Sequence, residues 1–448
     1  MALDMQSNWT VRMEKNLDYV TSGGRKNNDD VSNDHQPPKV DEKPRVWTSP
    51  AVYLPDEVII QILEYVSHFK ESQYTLASCC RLSGQWYSAA VPMLYASPHL
   101  YGKNFDPFVQ TVVPSKNLHV RKSILAKLVK VLDMRGLVHQ GSKSTTARLL
   151  GRTKENLEAF VAPVATFGDN CLAPLSKCPN LRLLDLAMVS ESPSLSRLLQ
   201  TVSHIQSLTT FRLPRSAGFH GQVTPGSVTW PPRLENLSLS GGIDAHFMHG
   251  IVALPPTLRS LTIEHCPAAK GFALMHLLRT AVQPLPELEI LRLANLPRLG
   301  TTALDSVLVV LPGLTKLSVS VDYISPILFD LDVGSHKEAV EYIPCLPHSA
   351  SLPTRHRWTP GRVCDLRTLE LTNSGNPGIE DKISPIDVMI ALDEGTLPHL
   401  RQVRVAKSLL WHTSSTADDL DALSDALKES AVQQGDAESA MGVWTFDG

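Results

Sequence analysis

The sequence predicts an α/β chain: a small N-terminal helical unit, then a solenoid of short parallel strands and helices curved into a horseshoe, then a helical C-terminal cap. Three observations carry this expectation. A six-residue apolar word, Leu-x-x-Leu-x-Leu, recurs eight times at nearly constant spacing. The stretches between copies place apolar residues at helical spacing. Ahead of the array stand amphipathic helical segments with no strand pattern.

Composition sets the outer bounds. The chain has 448 residues, 43% hydrophobic and 19% charged, so it is neither a disordered polar chain nor a fibrous one. Its formal charge of −3 removes the general attraction to phosphate backbones that a basic protein has, and no nucleic-acid partner is expected. Seven cysteines form no CxxC pair and no set at zinc-finger spacing, which points to free thiols in a reducing compartment. The first residues lack the order of a secretory signal, and no apolar run reaches the ~18 residues of a membrane span. No membrane partner is expected, and the expected location is cytoplasm, nucleus or both.

Residues 1–48, rich in Gly, Asn, Asp and Ser with few large apolar side chains, read as a disordered arm. Residues 49–117 read as a helical domain. In LPDEVIIQILEYV, Pro55 suits a first helical position and Asp56 and Glu57 suit a positively polarised first turn. Val58, Ile59, Ile62, Leu63 and Val66 then recur on one helical face. A polar loop leads to a second helical stretch, YTLASCCRLSGQWYSAAVPMLY, with Leu76, Cys79, Cys80, Leu82, Trp86 and Val91 as its expected buried face and Pro92 as its expected interruption.

Residues 118–412 carry the array. The words fall at Leu181-Leu184-Leu186, Leu208-Phe211-Leu213, Leu234-Leu237-Leu239 and Leu258-Leu261-Ile263. They continue at Leu288-Leu291-Leu293, Leu314-Leu317-Val319, Leu366-Leu369-Leu371 and Leu400-Val403-Val405. From Leu181 the first five steps are 27, 26, 24, 30 and 26 residues, which is leucine-rich-repeat spacing. Leu132 and Phe160 mark two weaker copies upstream. The step from Leu314 to Leu366 is 52, twice 26, and predicts an insertion at about 323–362 protruding as a loop. Pro179, Pro256, Pro286, Pro312 and Pro398 stand ahead of words, where each ends a helix before the next strand. Residues 413–448 hold eight acidic residues against one lysine, and Leu420, Leu423 and Leu427 predict one amphipathic helix covering the open end of the array.

LPDEVIIQILEYV followed by ASCCRLSGQWYSAAVPMLYASPHL resembles an F-box of the kind common in fungal proteins, including its tail at Leu94, Tyr95, Pro98 and Leu100. It departs from the family in lacking the Asp-Leu that usually opens the second helix. F-box followed by leucine-rich repeats is the arrangement of substrate receptors of SCF-type ubiquitin ligases, and the resemblance covers roughly residues 50 to 410. It implies a non-catalytic receptor whose F-box docks on the ligase's adaptor subunit, and through it a cullin, while the repeats hold a target protein. By position the adaptor-contacting set is Leu54, Pro55, Val58, Ile59, Ile62, Leu63 and Trp86. The residues alone leave two other readings open: the helices cap the first repeat, or the array is an interaction scaffold outside any ligase.

Strand alternation places Asp185, Arg212, Glu264, Arg292, Lys316, Glu370 and Arg404 on the concave face, the expected target-binding surface. Their charges are mixed, so no single-sign stripe emerges, although the four cations suit an acidic or phosphate group. The histidines at 336, 348 and 356 match no metal-ligand spacing, and neither metal nor cofactor is expected. GxGxxG, GxxxxGK[ST], GxSxG and HExxH are all absent from the sequence, so no enzymatic activity is expected.

Overall fold

Each of the eight copies of the apolar word forms a strand, and all lie in one parallel sheet of 11 strands that follow one another in chain order. The computed structural model describes residues 53–69, 72–114, 123–138, 140–219, 228–251, 254–280, 288–331, 364–374, 382–413, 416–435 and 441–447. Met1–Leu54 and Pro55–Gly448 separate as two units, and of the first only Tyr53 and Leu54 are described.

The strands are β1 (Val131–Asp133), β2 (Ala159–Val161), β3 (Leu183–Asp185), β4 (Thr210–Arg212), β5 (Asn236–Leu239) and β6 (Ser260–Glu264). They continue as β7 (Ile290–Ala294), β8 (Lys316–Ser320), β9 (Thr368–Thr372), β10 (Gln402–Ala406) and β11 (Gly442–Phe446). Register is set by the middle residue of each word: Leu184 pairs Phe211, Leu237 pairs Leu261, Leu291 pairs Leu317 and Leu369 pairs Val403. A slip by one residue would turn every word outward. None of the 24 word residues is more than 4% exposed. Each buried Leu contributes roughly 1.5–3 kcal/mol by leaving water. Parallel neighbours require a crossover between them, and strand order equal to chain order means each crossover reaches only the next strand. That arrangement is compatible with a solenoid.

Among the described residues four helices precede the sheet: α1 (Asp56–Ser67), α2 (Ser72–Cys79), α3 (Gly84–Ala96) and α4 (Gly102–Val112). The crossovers carry α5 (Lys143–Thr153), α6 (Leu172–Leu175), α7 (Leu195–Ser203), α8 (Ala245–Gly250), α9 (Gly271–Thr280), α10 (Val307–Val310), α11 (Pro385–Asp393) and α12 (Ala417–Gln433). In α7 the buried residues Leu195, Leu198, Leu199 and Val202 keep i, i+3, i+4, i+7 spacing. At α11, Ser384 accepts from the Asp387 N–H at 3.4 Å while the Asp387 carboxylate accepts from the Ser384 N–H at 2.7 Å, so the start is fixed from both sides. Successive units are also tied by side chains: Asn180 Nδ2 donates to the Glu155 carbonyl at 2.9 Å and Ser207 Oγ to the Leu181 carbonyl at 2.8 Å. Among the described residues no helix is long and apolar enough to cross a membrane.

The structure departs from the sequence reading at five places. Pro55 is the residue before α1 rather than its first position. The expected second helix divides at residues 80–83, where Ser83 accepts from the Trp86 N–H at 3.3 Å and starts α3. Pro92 then lies within α3, on its exposed side, and the helix continues to Ala96. The expected insertion does not begin at 323. Strands β8 and β9 pair directly, and Tyr323, Ile324, Leu328 and Phe329 are buried in the core. Hydrogen bonds hold them there: Tyr323 OH donates to Ser374 Oγ at 3.0 Å and accepts from the Leu296 N–H at 2.8 Å, and Asp322 Oδ2 accepts from the Ser374 N–H at 2.8 Å. Residues 332–363, with the three histidines, Cys345 and Trp358, lie outside the described residues. Finally, the acidic tail forms not only the expected helix, α12, but also β11, which extends the sheet beyond β10.

Candidate functional site

Two surfaces carry the residues singled out from the sequence. The first is α1. Ile59 and Leu63 are fully buried and Ile60 is exposed away from them, while Val58, Ile62 and Tyr65 of α1 and Phe69 of the turn after it are 37, 40, 73 and 58% exposed. These four recur at i, i+4, i+7 and i+11, a stripe along the outer side of α1 and the turn after it. The Tyr65 and Phe69 rings meet edge to face with centroids 5.6 Å apart. Tyr74 and Leu82, 81 and 64% exposed, add apolar surface on α2 and the turn that follows it. The helix is anchored beneath, where Gln85 Nε2 donates to Asp56 Oδ1 at 2.6 Å and ties α1 to α3.

Of the expected adaptor-contacting set, then, Pro55, Val58 and Ile62 are exposed and Leu54 and Trp86 are half-buried. Ile59 and Leu63 face inward and support the stripe instead of forming it. Sequence reasoning missed Tyr65, Phe69 and Tyr74, and it expected Leu82 on a buried face, where the structure leaves it exposed in the turn after α2. The signal for the first two was present, since they extend the Val58–Ile62 spacing by two further turns.

The second surface is the polar face of the sheet. All seven residues expected on its target-binding surface project from it, and they pair with one another across strands. Arg212 reaches Asp185 at 3.3 Å, Arg292 reaches Glu264 at 3.9 Å, and Lys316 and Arg404 both reach Glu370 at 3.1 Å. Glu370 is 5% exposed and also accepts from Ser318 Oγ at 3.0 Å. Burial opposes its ionisation, but Lys316, Ser318 and Arg404 outweigh burial and hold the carboxyl below its usual range. Each of the four cations that suit an acidic or phosphate group thus already has a carboxylate of the chain within reach. Those partners stand 27 to 54 residues apart in sequence, beyond the reach of local pattern.

Near the end of the strands a cavity of about 380 Å3 is lined by His265, Pro267, Asn295, Pro297, Tyr323 and Ser374. Desolvation and the nearby Arg215 lower the His265 pKa, so the ring is neutral at pH 7. Among the described residues no group of three or more His, Cys, Asp or Glu side chains has metal-holding geometry. Cys171, Cys178, Cys266 and Cys364 are buried and free. Burial pushes the Cys178 and Cys266 thiols up to about 12, the opposite of what a nucleophile needs.

No family model matches the chain. It is similar to F-box protein YDR306C of Saccharomyces cerevisiae, 32% identical over 334 residues that cover 74% of this chain and 62% of the relative. It is also similar to protein pof5 of Schizosaccharomyces pombe, 26% identical over 365 residues that cover 81% of this chain and 92% of the relative. The chain therefore spans less than two thirds of the first relative's length and nearly all of the second's. By this relationship it belongs to the F-box proteins.

Proposed function

We propose that the chain is the non-catalytic substrate-recognition subunit of an SCF-type ubiquitin ligase. In this reading α1 to α3 are the F-box and dock on the ligase's small adaptor subunit, the sheet is a leucine-rich-repeat array, and its polar face holds a target protein. The observation that carries the reading is the exposed Val58–Ile62–Tyr65–Phe69 stripe, on the segment that resembles an F-box, in a chain related to F-box proteins. The mechanism is proximity: adaptor and cullin bring a charged conjugating enzyme to a target lysine and raise its effective concentration, with no chemistry by this chain.

The test is co-purification of the full chain and an Ile62→Asp/Tyr65→Ala variant, with bound proteins identified by mass spectrometry. Recovery of adaptor and cullin with the wild type alone supports the reading. Adaptor without cullin supports a scaffold outside a ligase, and neither protein with a folded wild type refutes the receptor reading and leaves a leucine-rich-repeat scaffold with a helical cap.

A further inference from the structure

We infer that strands β8 to β11 are the part of the sheet face that grips the target, and that they take a peptide with one carboxylate beside an apolar or aromatic side chain. The inference rests on the receptor reading above and deepens it by naming a ligand class and a place.

Register puts Ser318, Glu370, Arg404 and Trp444 in one row across four adjacent strands. Neighbours in such a row stand about 4.8 Å apart. Earlier on the face each carboxylate faces a single cation: Asp133 has Arg135 at 2.9 Å, Asp185 has Arg212 and Glu264 has Arg292. At Glu370 the balance changes. Lys316 Nζ and Arg404 Nη1 both lie 3.1 Å from the same oxygen, Oε2. One buried carboxylate neutralises one of the two cations, and one positive charge is left over. It is accessible, with the Lys316 and Arg404 side chains 33 and 40% exposed.

The guanidinium is also pre-aimed. Arg404 lies over the Phe446 ring, 5.3 Å from its centroid, which fixes the plane of the fork. Among the described residues its hydrogen bond to Glu370 uses Nη1 alone, leaving Nε and Nη2 as an edge that matches a carboxylate. Trp444, the next residue in the row and 39% exposed, offers an apolar plate beside that edge. A surplus of one charge matches a carboxylate, whereas a phosphate monoester brings about −1.5 to −2. The strand residues of the face as a whole carry four cations and four carboxylates, which gives a nucleic acid no field to follow.

The experiment pans a phage-displayed random decapeptide library on the immobilised full chain, wild type beside Arg404→Gln and Trp444→Ser. Arg404→Gln leaves Lys316 on Glu370, and Trp444→Ser touches no ion pair, so each checks the other if one melts early. The wild type is expected to enrich peptides with Asp or Glu within two residues of Phe, Trp or Leu. A selected peptide should bind each folded variant about tenfold more weakly or worse, as should its Asn or Gln version on the wild type. Three results overturn the inference: no acidic-apolar enrichment, binding unchanged in both variants, or a phosphoserine version of the peptide binding more tightly than the carboxylate. Adaptor binding in the same samples separates the failures. Adaptor bound without acidic preference defeats the inference alone, and no adaptor bound defeats the receptor reading under it.

Discussion

The sheet and the helix α1 treat the same kinds of side chain in opposite ways. In the sheet every word residue is buried to within 4% of completely, and the cations of its polar face are paired across strands. In α1 two large apolar residues are fully buried while Val58, Ile62 and Tyr65 stay in water. The apolar side of the sheet is internally satisfied, because each unit covers the next. The helical unit is small and leaves part of the apolar surface of α1 exposed, and in the proposed reading a partner outside the chain covers it. The lesson is that equal hydrophobicity in a sequence encodes two jobs, separated by whether the fold supplies a partner.

The comparison breaks most sharply at Phe211, the fully buried middle residue of β4. Phe211→Ala should cost about 3–5 kcal/mol in denaturant unfolding, with a cavity that neighbouring strands cannot close. Ile62→Ala, the same kind of truncation on α1, should change stability by less than about 1 kcal/mol. Equal losses at the two sites would show that the stripe is covered in solution.

Glu370→Gln comes next, at about 1–3 kcal/mol, because it leaves Lys316 and Arg404 facing each other with no carboxylate between them. The pH dependence follows from the same site. Its carboxyl is held below the usual range in the fold, so its contribution is complete above the unfolded value near about 4.3 and is lost as pH falls through the lower folded value. Thermal melts between pH 7 and pH 3 should fall less steeply at the acid end in Glu370→Gln than in the wild type. Parallel curves would remove Glu370 from the account of acid stability.

Smallest of all is Arg212→Ala. Its side chain is 57% exposed, and its pairing with Asp185 should be worth no more than about 1 kcal/mol, shrinking further in high salt. A larger, salt-insensitive loss would mean that the pair is structural, and the contrast drawn with Glu370 would fail.

Much of this was legible in the sequence, for identifiable reasons. A strand buried on one side must repeat its apolar residues every second position, and parallel units must repeat at the length of one crossover, so Leu184, Phe211 and Leu237 announce themselves. β11 did not, because Val443 and Phe446 carry no leucine word and the strand is defined by its pairing with β10. The core segment Tyr323–Phe329 was hidden for the same reason, its place being fixed by hydrogen bonds to Ser374 and Leu296 rather than by a repeat. Spacing identified the face carrying Val58 and Ile62 but could not say that Ile59 and Leu63 turn inward, which depends on packing. The ion pairs of the sheet face join residues on different strands, and local charge pattern holds no trace of them.

The most direct test of the central claim, that α1 carries an unfinished interface for a ligase adaptor, is calorimetric titration of the purified full chain with the purified adaptor subunit. Val58→Asp/Ile62→Asp is the comparison, and melts of both proteins serve as the control on folding. The account predicts saturable binding by the wild type and at least about a hundredfold weaker binding by the variant, with melting temperatures within a few degrees. Equal binding by the two proteins, or no binding by a folded wild type, would contradict it.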